Sequence, residues 1–362
     1  MQGLKFTLSD LDYDLPESLI AQQPLPRRDA SRLLVLDRGS LHQLNDARIV
    51  DLPDLLQPGD LLILNDTKVL PARFTLQRRS GGCVGGLFIR RESPGQWRVM
   101  LDHSNRLRVG EVLRVFHPPD QQASEAIFQL VERFEAGQWL ASVEPIESVE
   151  LILNRIGQTP LPPYIRRTDA GQQTEATDRS RYQTVYARQP GAIAAPTAGL
   201  HLTDQLLDQL RSRGIETAFI TLHVGLGTFQ PIRAGSLSQH VMHTEWYDVP
   251  QSTVEAINRC RQLDRRVTAV GTTTLRALES TAIEDETSRT VRSGSGTTDL
   301  FIHPPYRFRV VDALLTNFHL PQSTLLALVM AMGGVEAVRD AYQHAIRTGY
   351  RFYSYGDAML IR

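Results

Sequence analysis

Six short stretches of this chain combine small residues, glycine and titratable side chains, as loops at strand ends do when they carry chemistry. Ala194-Ala195-Pro196-Thr197-Ala198-Gly199-Leu200-His201 precedes an amphipathic stretch that starts near Thr203, so a ligand can lie close to backbone amides there. Leu222 to Phe229 runs from apolar residues through His223 into a loop with Gly225, Gly227 and Thr228. Gly271-Thr272-Thr273-Thr274 leads into a helical pattern carrying Arg276 and Glu279. That turn suits a carboxylate or phosphate at a helix N-terminus, and equally an ordinary threonine cap. His240, His243 and Glu245 form the closest grouping of histidines. Thr316-Asn317-Phe318-His319-Leu320-Pro321 precedes a leucine-rich helix, and Tyr350 to Asp357 lies near the end, with Asp357 in a glycine turn.

A histidine tuned near neutrality beside a carboxylate moves protons, and the same residue types also bind metals. The spacing of His240, His243 and Glu245 matches neither the helical pair of a zinc protease nor a zinc finger. No Gly-x-Ser-x-Gly elbow, Walker motif or spaced-glycine dinucleotide fingerprint occurs, so covalent acyl transfer, nucleotide hydrolysis and hydride transfer lack their usual signatures. Two cysteines, Cys83 and Cys260, provide no disulfide framework and no thiolate metal cluster. Three readings remain: a proton-transferring α/β enzyme, a metal-dependent hydrolase with His201, His223, His240, His243 and Glu245 as ligands, and a non-enzymatic RNA-binding protein.

The elements that must position these loops follow from hydrophobic periodicity. Consecutive apolar residues at Arg32 to Leu36 and Leu61 to Leu64 read as buried strands, with a short capped helix at Asp14 to Glu17 before them. From Thr75 to Val143 short β-rich runs alternate with Gly, Pro and charged turns, the texture of a small barrel or sandwich. Helix and strand then alternate: Thr203 to Arg213, Ile215 to Leu222, Ser252 to Leu263, Val267 to Val270 and Thr272 to Ile283. Arg166 to Arg181 and Glu284 to Thr298 read as exposed loops. The expected architecture is mixed α/β: residues 1–72 and 149–362 form one large domain with a parallel or mixed sheet, and residues 73–148 an inserted all-β unit.

Composition narrows the setting. The 362 residues are 41% apolar and 22% charged with a formal net charge of −1, a globular chain with room for about two domains. The first twenty residues carry Asp10, Asp12, Asp14 and Glu17 without an unbroken apolar core, and the longest apolar run, Leu325 to Met332, is too short to span a bilayer. A cytoplasmic, non-membrane protein is expected. All basic residues except Lys5 and Lys68 are arginine, and residues 73–114 hold nine arginines against Glu92, Asp102 and Glu111, a local charge of +6. Arginine pairs bidentately with phosphate and stacks on bases, so a phosphate backbone is the expected partner of that block.

In this order the segments resemble the S-adenosylmethionine:tRNA ribosyltransferase-isomerase family of queuosine biosynthesis. The resemblance covers nearly the whole chain. It runs through Tyr13-Asp14-Leu15-Pro16, Ser31-Arg32-Leu33-Leu34, Pro58-Gly59-Asp60, Leu64-Asn65-Asp66-Thr67, Pro71-Ala72-Arg73, Leu161-Pro162-Pro163-Tyr164-Ile165 and Tyr182-Gln183-Thr184-Val185-Tyr186-Ala187 to Tyr353-Ser354-Tyr355-Gly356-Asp357-Ala358-Met359. Ala-Pro-Thr-Ala-Gly-Leu-His and Thr-Asn-Phe-His-Leu-Pro are its most specific strings. Two departures stand out. Gly81-Gly82-Cys83-Val84-Gly85 lacks the glutamate of the family's Gly-Gly-x-Val-Glu, and Pro304-Pro305-Tyr306 replaces the usual Pro-Gly-Tyr.

The resemblance implies transfer and isomerisation of the ribosyl group of S-adenosylmethionine onto 7-aminomethyl-7-deazaguanine at the tRNA wobble position. Epoxyqueuosine-tRNA, adenine and methionine are the implied products. In the chemistry usually proposed for the family, the sulfonium acidifies the 5′ carbon and a base removes its proton. The ylide expels adenine, the amine of the modified base joins the ribosyl carbon, and methionine leaves as the epoxide forms. S-adenosylmethionine is then a consumed co-substrate, and neither cofactor nor metal is implied. His201, His223, His243 and Glu245 are the candidate bases, unranked, with Asp357 added to the catalytic group. Gly271, Thr272, Thr273 and Arg276 are assigned to the methionine carboxylate, and Pro196, Thr197, Gly199, Gly225, Gly227 and Thr228 to close packing of the nucleoside. Asn65, Asp66, Asn317 and Asp357 are assigned to base edges or to protonating the departing adenine, with Arg73, Tyr182 and His319 also in substrate binding. Arg78, Arg79, Arg90 and Arg91 are expected to touch tRNA phosphates. The family also implies a two-domain monomer whose inserted unit is a β-barrel.

Overall fold

Strands buried along their whole length lie in the middle of a sheet covered on both faces, and four such runs, largely apolar, build the centre of this molecule. A computed structural model describes residues 6–39, 42–116, 126–167, 172–225, 232, 237, 240–283 and 289–362. Nine strands form a mixed sheet in the order Gly294–Thr298, Glu245–Val249, Glu216–Leu222, Leu61–Asn65, Val267–Val270, Ala313–Asn317, Ala358–Ile361, Arg32–Asp37, Gln43–Arg48. Leu61–Asn65, Val267–Val270, Ala313–Asn317 and Ala358–Ile361 are buried along their whole length. Strands from both ends of the chain therefore share one core.

Glu216–Leu222, Leu61–Asn65, Val267–Val270 and Ala313–Asn317 are parallel neighbours, so their carboxyl ends emerge along one edge. The residues that follow there are Asp66, His223 to Gly225, Gly271 to Thr273, and Phe318 with His319. Topology alone thus gathers four separate motifs where open α/β sheets hold ligands.

The segment between closes on itself. Arg73–Arg78, Cys83–Ser93, Gln96–Leu101, Val112–Val115, Ile127–Arg133 and Gln138–Glu144 form an antiparallel barrel of six strands. Alternation fills its interior: Phe74, Phe88, Trp97, Phe128 and Trp139 are all buried. The same apolar cluster takes in Ile152, Leu153 and Ile156 of the Val149–Ile156 helix and Ile193 of the sheet region.

Two expected loops are different in the structure. Gln172–Arg181, within the polar stretch from 166, is a helix. It docks through carboxylates rather than an apolar stripe: Glu175 accepts from the backbone and hydroxyl of Thr159 at 2.7 and 2.8 Å, and Asp178 pairs with Arg167 at 2.6 Å. Hydrophobic periodicity has nothing to detect in such a helix. Gly294–Thr298 is an edge strand paired antiparallel to Glu245–Val249, while residues 284–288 lie outside the described residues. Both cysteines are free, Cys83 exposed and Cys260 buried. No described helix is long and apolar enough to cross a membrane.

Candidate functional site

At the carboxyl edge, Asn65 joins three segments. Its Oδ1 accepts from the amides of Thr67 at 3.1 Å and Leu222 at 3.0 Å, and its Nδ2 donates to the Leu222 carbonyl at 3.0 Å and the Thr273 hydroxyl at 3.4 Å. Asp66 accepts from the Thr221 hydroxyl at 2.6 Å, and burial pushes its carboxyl pKa up. Asn65 and Asp66, two of the residues assigned to base edges, are thus engaged in joining neighbouring strands.

The Thr272–Thr281 helix starts from Gly271, whose φ of 94° lies in the left-handed region that favours glycine. No side chain caps this helix. Thr274, in its first turn, donates to the Val270 carbonyl at 2.7 Å. The first amides therefore face a cavity lined by Pro196, Thr197, Gly271, Thr272, Thr273 and Asn317, among others, and the helix dipole makes that end attractive to an anion.

Asn317 is buried in the wall of this cavity. Its Nδ2 donates to the Tyr353 carbonyl at 3.0 Å and contacts His201 Nε2 at 3.1 Å. Because an amide nitrogen only donates, His201 Nε2 accepts and the ring is neutral with its proton on Nδ1. Burial, with Arg351 and Arg28 nearby, pushes the His201 pKa down to about 4, which agrees with that tautomer. Asn317 Oδ1 is left with no partner among the described residues, a buried acceptor in a residue that lines the cavity. His319, also lining the cavity, bonds through Nε2 to the Thr316 hydroxyl at 2.7 Å, and burial pushes its pKa down to about 3. Tyr353, across the cavity, holds a φ of 71°, a strained backbone of the kind that collects at functional sites.

One turn further along the Thr272–Thr281 helix, Arg276 enters a buried ion pair. Arg276 and Glu245 bond directly, each side chain 3% exposed, and Glu245 Oε1 also accepts from the Gly225 amide at 2.9 Å. Arg276 Nε donates to the Leu300 carbonyl at 3.1 Å, while its Nη2 has no partner among the described residues. The pair thus braces the loop after His223. His223 Nδ1 bonds to the Thr67 hydroxyl at 2.8 Å, its ring stacks on Trp246 with centroids 4.8 Å apart, and burial lowers its pKa. His243 is exposed and His240 is half-buried against Phe301. Among the described residues no group of three His, Cys, Asp or Glu side chains is arranged to hold a metal, so the five-ligand hydrolase set is not assembled.

The remaining candidates separate. Asp357 is buried and accepts from the backbone amides of Arg32 at 2.9 Å and Arg351 at 2.8 Å, so both oxygens tie the last strand to its neighbours. Gly199 is required by packing, since a Cβ there would lie 2.1 Å from the Tyr186 hydroxyl. Tyr182 is buried edge-on to Tyr355 in a satellite core. Arg73 lies on the first barrel strand and lines a second cleft with Gly225. Gly227 and Thr228 lie outside the described residues. Thr67 and Trp246 escaped the sequence reading, although Thr67 ends one of the quoted strings.

On the barrel, Arg78 pairs with Glu111 at 2.6 Å and Arg90 with Glu92 at 2.9 Å. Arg79 and Arg91 are exposed and have no ion pair among the described residues.

The model of the "Queuosine biosynthesis protein" family matches residues 8–361. An S-adenosylmethionine:tRNA ribosyltransferase-isomerase from Azoarcus sp. (strain BH72) is 50% identical over 361 residues, covering 99% of this chain and 98% of that protein. One of the same name from Citrifermentans bemidjiense is 48% identical over 98% of this chain and 99% of its own length. The crystal structure of S-adenosylmethionine tRNA ribosyltransferase from Thermotoga maritima covers 98% of this chain and 100% of its own at 34% identity, with a TM-score of 0.54. A match of this span and identity shows that the chain belongs to the queuosine biosynthesis family of S-adenosylmethionine:tRNA ribosyltransferase-isomerases.

Proposed function

We propose that this protein transfers and isomerises the ribosyl group of S-adenosylmethionine onto 7-aminomethyl-7-deazaguanine at the tRNA wobble position, releasing adenine and methionine and leaving epoxyqueuosine. The observation that carries the reading is the cavity at the carboxyl edge of the sheet. It joins an uncapped helix N-terminus to a buried, unpartnered amide oxygen on Asn317. The methionine carboxylate suits the amides of Thr272 and Thr273, and a nitrogen-bound hydrogen of the donor suits Asn317 Oδ1.

Removing a proton from the 5′ carbon requires an unprotonated base with a free lone pair. Among the four candidates, Glu245 is held by Arg276 and Gly225, His201 Nε2 by Asn317, and His243 is exposed. We assign the step to His223. On this assignment Nδ1–H is donated to the Thr67 hydroxyl, Nε2, which lies against Gly191, takes the proton, and burial keeps the ring neutral at neutral pH. The ylide then expels adenine with the glycosidic electron pair, the amine of the modified base bonds to the ribosyl carbon, and methionine carries away the C–S pair as the epoxide closes. The split into residues 1–72 with 149–362 for this chemistry and 73–148 for tRNA, a monomeric state and a cytoplasmic setting complete the reading.

The test incubates purified, chelator-treated protein with S-adenosylmethionine and tRNA carrying the aminomethyl base. Free adenine, free methionine and a mass gain on the wobble nucleoside are expected together. RNA binding without adenine release, with or without added metal, would replace this reading by a non-enzymatic RNA-binding protein.

A further inference from the structure

Two short strands form a ribbon of their own at the carboxyl edge of the sheet: Thr67–Val69 pairs parallel with Gln189–Ala192. The ribbon starts beside Asp66 at the site and ends just before Arg73 opens the barrel. From it, contacts run outward without a break. The Thr67 hydroxyl bonds to His223 Nδ1 at 2.8 Å, a Cβ built on Gly191 would lie 2.5 Å from His223 Nε2, and the His223 ring stacks on Trp246. Trp246 differs from the other two tryptophans. Trp97 and Trp139 are 1% exposed within the barrel, whereas Trp246 is 41% exposed with His223 on one face of its ring.

Many arginines of the sheet region are committed to carboxylates, as Arg32 is to Asp46, Arg259 to Glu216 and Arg339 to Asp10. Around the ribbon three cations are not. Lys68 on its first strand, Arg179 on the Gln172–Arg181 helix and Arg188 just before its second strand are exposed and enter no ion pair among the described residues. Lys68 and Arg179 line one cleft of about 240 Å³, and Glu150 is the only carboxylate among the described residues of its wall. The Arg179 guanidinium bonds to the Asn154 amide oxygen, and the Arg188 guanidinium lies 4.6 Å over the Phe219 ring. Asp66, which feels the Arg188 charge, is already held by the Thr221 hydroxyl at 2.6 Å.

We propose that the surface from Trp246 across the ribbon to the Lys68–Arg179 cleft holds the single-stranded RNA beside the reacting nucleotide, with Trp246 stacking on a flanking base and Lys68, Arg179 and Arg188 contacting phosphates. The inference rests on the RNA substrate of the reaction proposed above and adds a contact surface outside the barrel. An unpaired strand alternates a planar base with a phosphate, and an open indole next to unpaired cations matches both. Cations already paired to carboxylates would have to give up those partners first, whereas these three need only release bound counterions from the RNA.

The experiment titrates wild-type protein and variants with an anticodon stem-loop carrying 7-aminomethyl-7-deazaguanine at the wobble position, over a series of salt concentrations, and follows adenine release with the same RNA. Lys68→Ala/Arg179→Ala/Arg188→Ala should lose roughly 0.7 in log–log salt slope for each phosphate contact, about 2 in all. Arg48→Ala/Arg265→Ala/Arg347→Ala removes the same charge from exposed positions elsewhere on the sheet region and should keep the wild-type slope. Trp246→Ala should weaken RNA binding about tenfold or more, and Trp246→Phe, which keeps a ring, about threefold or less. S-adenosylmethionine binding, measured without RNA, should stay within about twofold in both triple variants. A full slope in the first triple variant, an equal loss in the second, wild-type binding by Trp246→Ala, or a phenylalanine as weak as the alanine overturns the proposal. A wild type that shows all these binding effects but releases no adenine overturns the reaction and leaves the surface standing.

Discussion

Arg276 and Arg90 each meet a glutamate, yet the two pairs do different work. Arg276–Glu245 is 3% exposed on both sides and braces the loop beside the site, whereas Arg90–Glu92 on the barrel is 63% and 27% exposed. Removing one partner of a buried pair strands a charge that water cannot reach, while water replaces the partner of an exposed one. The core of the sheet region thus turns charged residues into scaffold, and the barrel keeps them available to an outside anion.

Glu245→Gln sharpens that contrast most strongly. It should destabilise the protein by about 3–5 kcal/mol in denaturant titration, against about 0.5 kcal/mol or less for Glu92→Gln. Similar losses at the two sites would erase the distinction.

His223→Gln should leave the fold and S-adenosylmethionine binding in place but lower kcat for adenine release by about a hundredfold or more, the usual cost of losing a general base. An unchanged kcat would return the proton-transfer step to the other candidates.

A pH dependence of stability is built into the sheet region. His201 and His319 are neutral in the fold, with pKa values pushed down to about 4 and about 3, whereas an unfolded histidine titrates near 6.5. Between those values the unfolded chain binds more protons, so unfolding free energy rises with pH. Their contribution is complete above about pH 6.5 and declines as pH falls, by about 1.4 kcal/mol per pH unit for each histidine, until about pH 4 and 3 respectively. Urea titrations at successive pH values should show this slope, and His319→Gln should remove its share.

The smallest effect on stability and a clear one on binding is expected from Arg79→Ala with Arg91→Ala. Stability should shift by about 0.5 kcal/mol or less, while the salt dependence of tRNA binding should lose roughly 0.7–0.9 in log–log slope for each phosphate contact removed. A full slope in the double variant would place the RNA backbone on another surface.

Much of the architecture was legible in the chain itself. Buried strands such as Leu61–Asn65 and Val267–Val270 are continuous apolar runs, and the barrel strands alternate around buried Trp97 and Trp139. The Gln172–Arg181 helix was not, because carboxylate hydrogen bonds rather than apolar spacing hold it in place. The Gly294–Thr298 strand was not either, since its glycine, serine and threonine read as a loop until the Glu245–Val249 strand pairs with it. At the site, the motifs named loops that the fold brings to one sheet edge, without separating groups free for a ligand from scaffold. Asp357 looked reactive in its glycine turn, and Trp246 drew no notice.

By itself, then, the amino-acid order determined most of the elements, the insertion of a basic β-barrel into an α/β sheet and the strings that mark the family, because periodicity and local backbone demands are written in neighbouring residues. Tertiary structure decided which polar groups are already satisfied. Asn65 meets Leu222 across 157 positions, His201 meets Asn317 across 116, and the Asp357 carboxylate reaches the Arg32 amide across 325. Whether a polar side chain is free for a ligand depends on burial and on partners that only the fold brings within hydrogen-bonding distance.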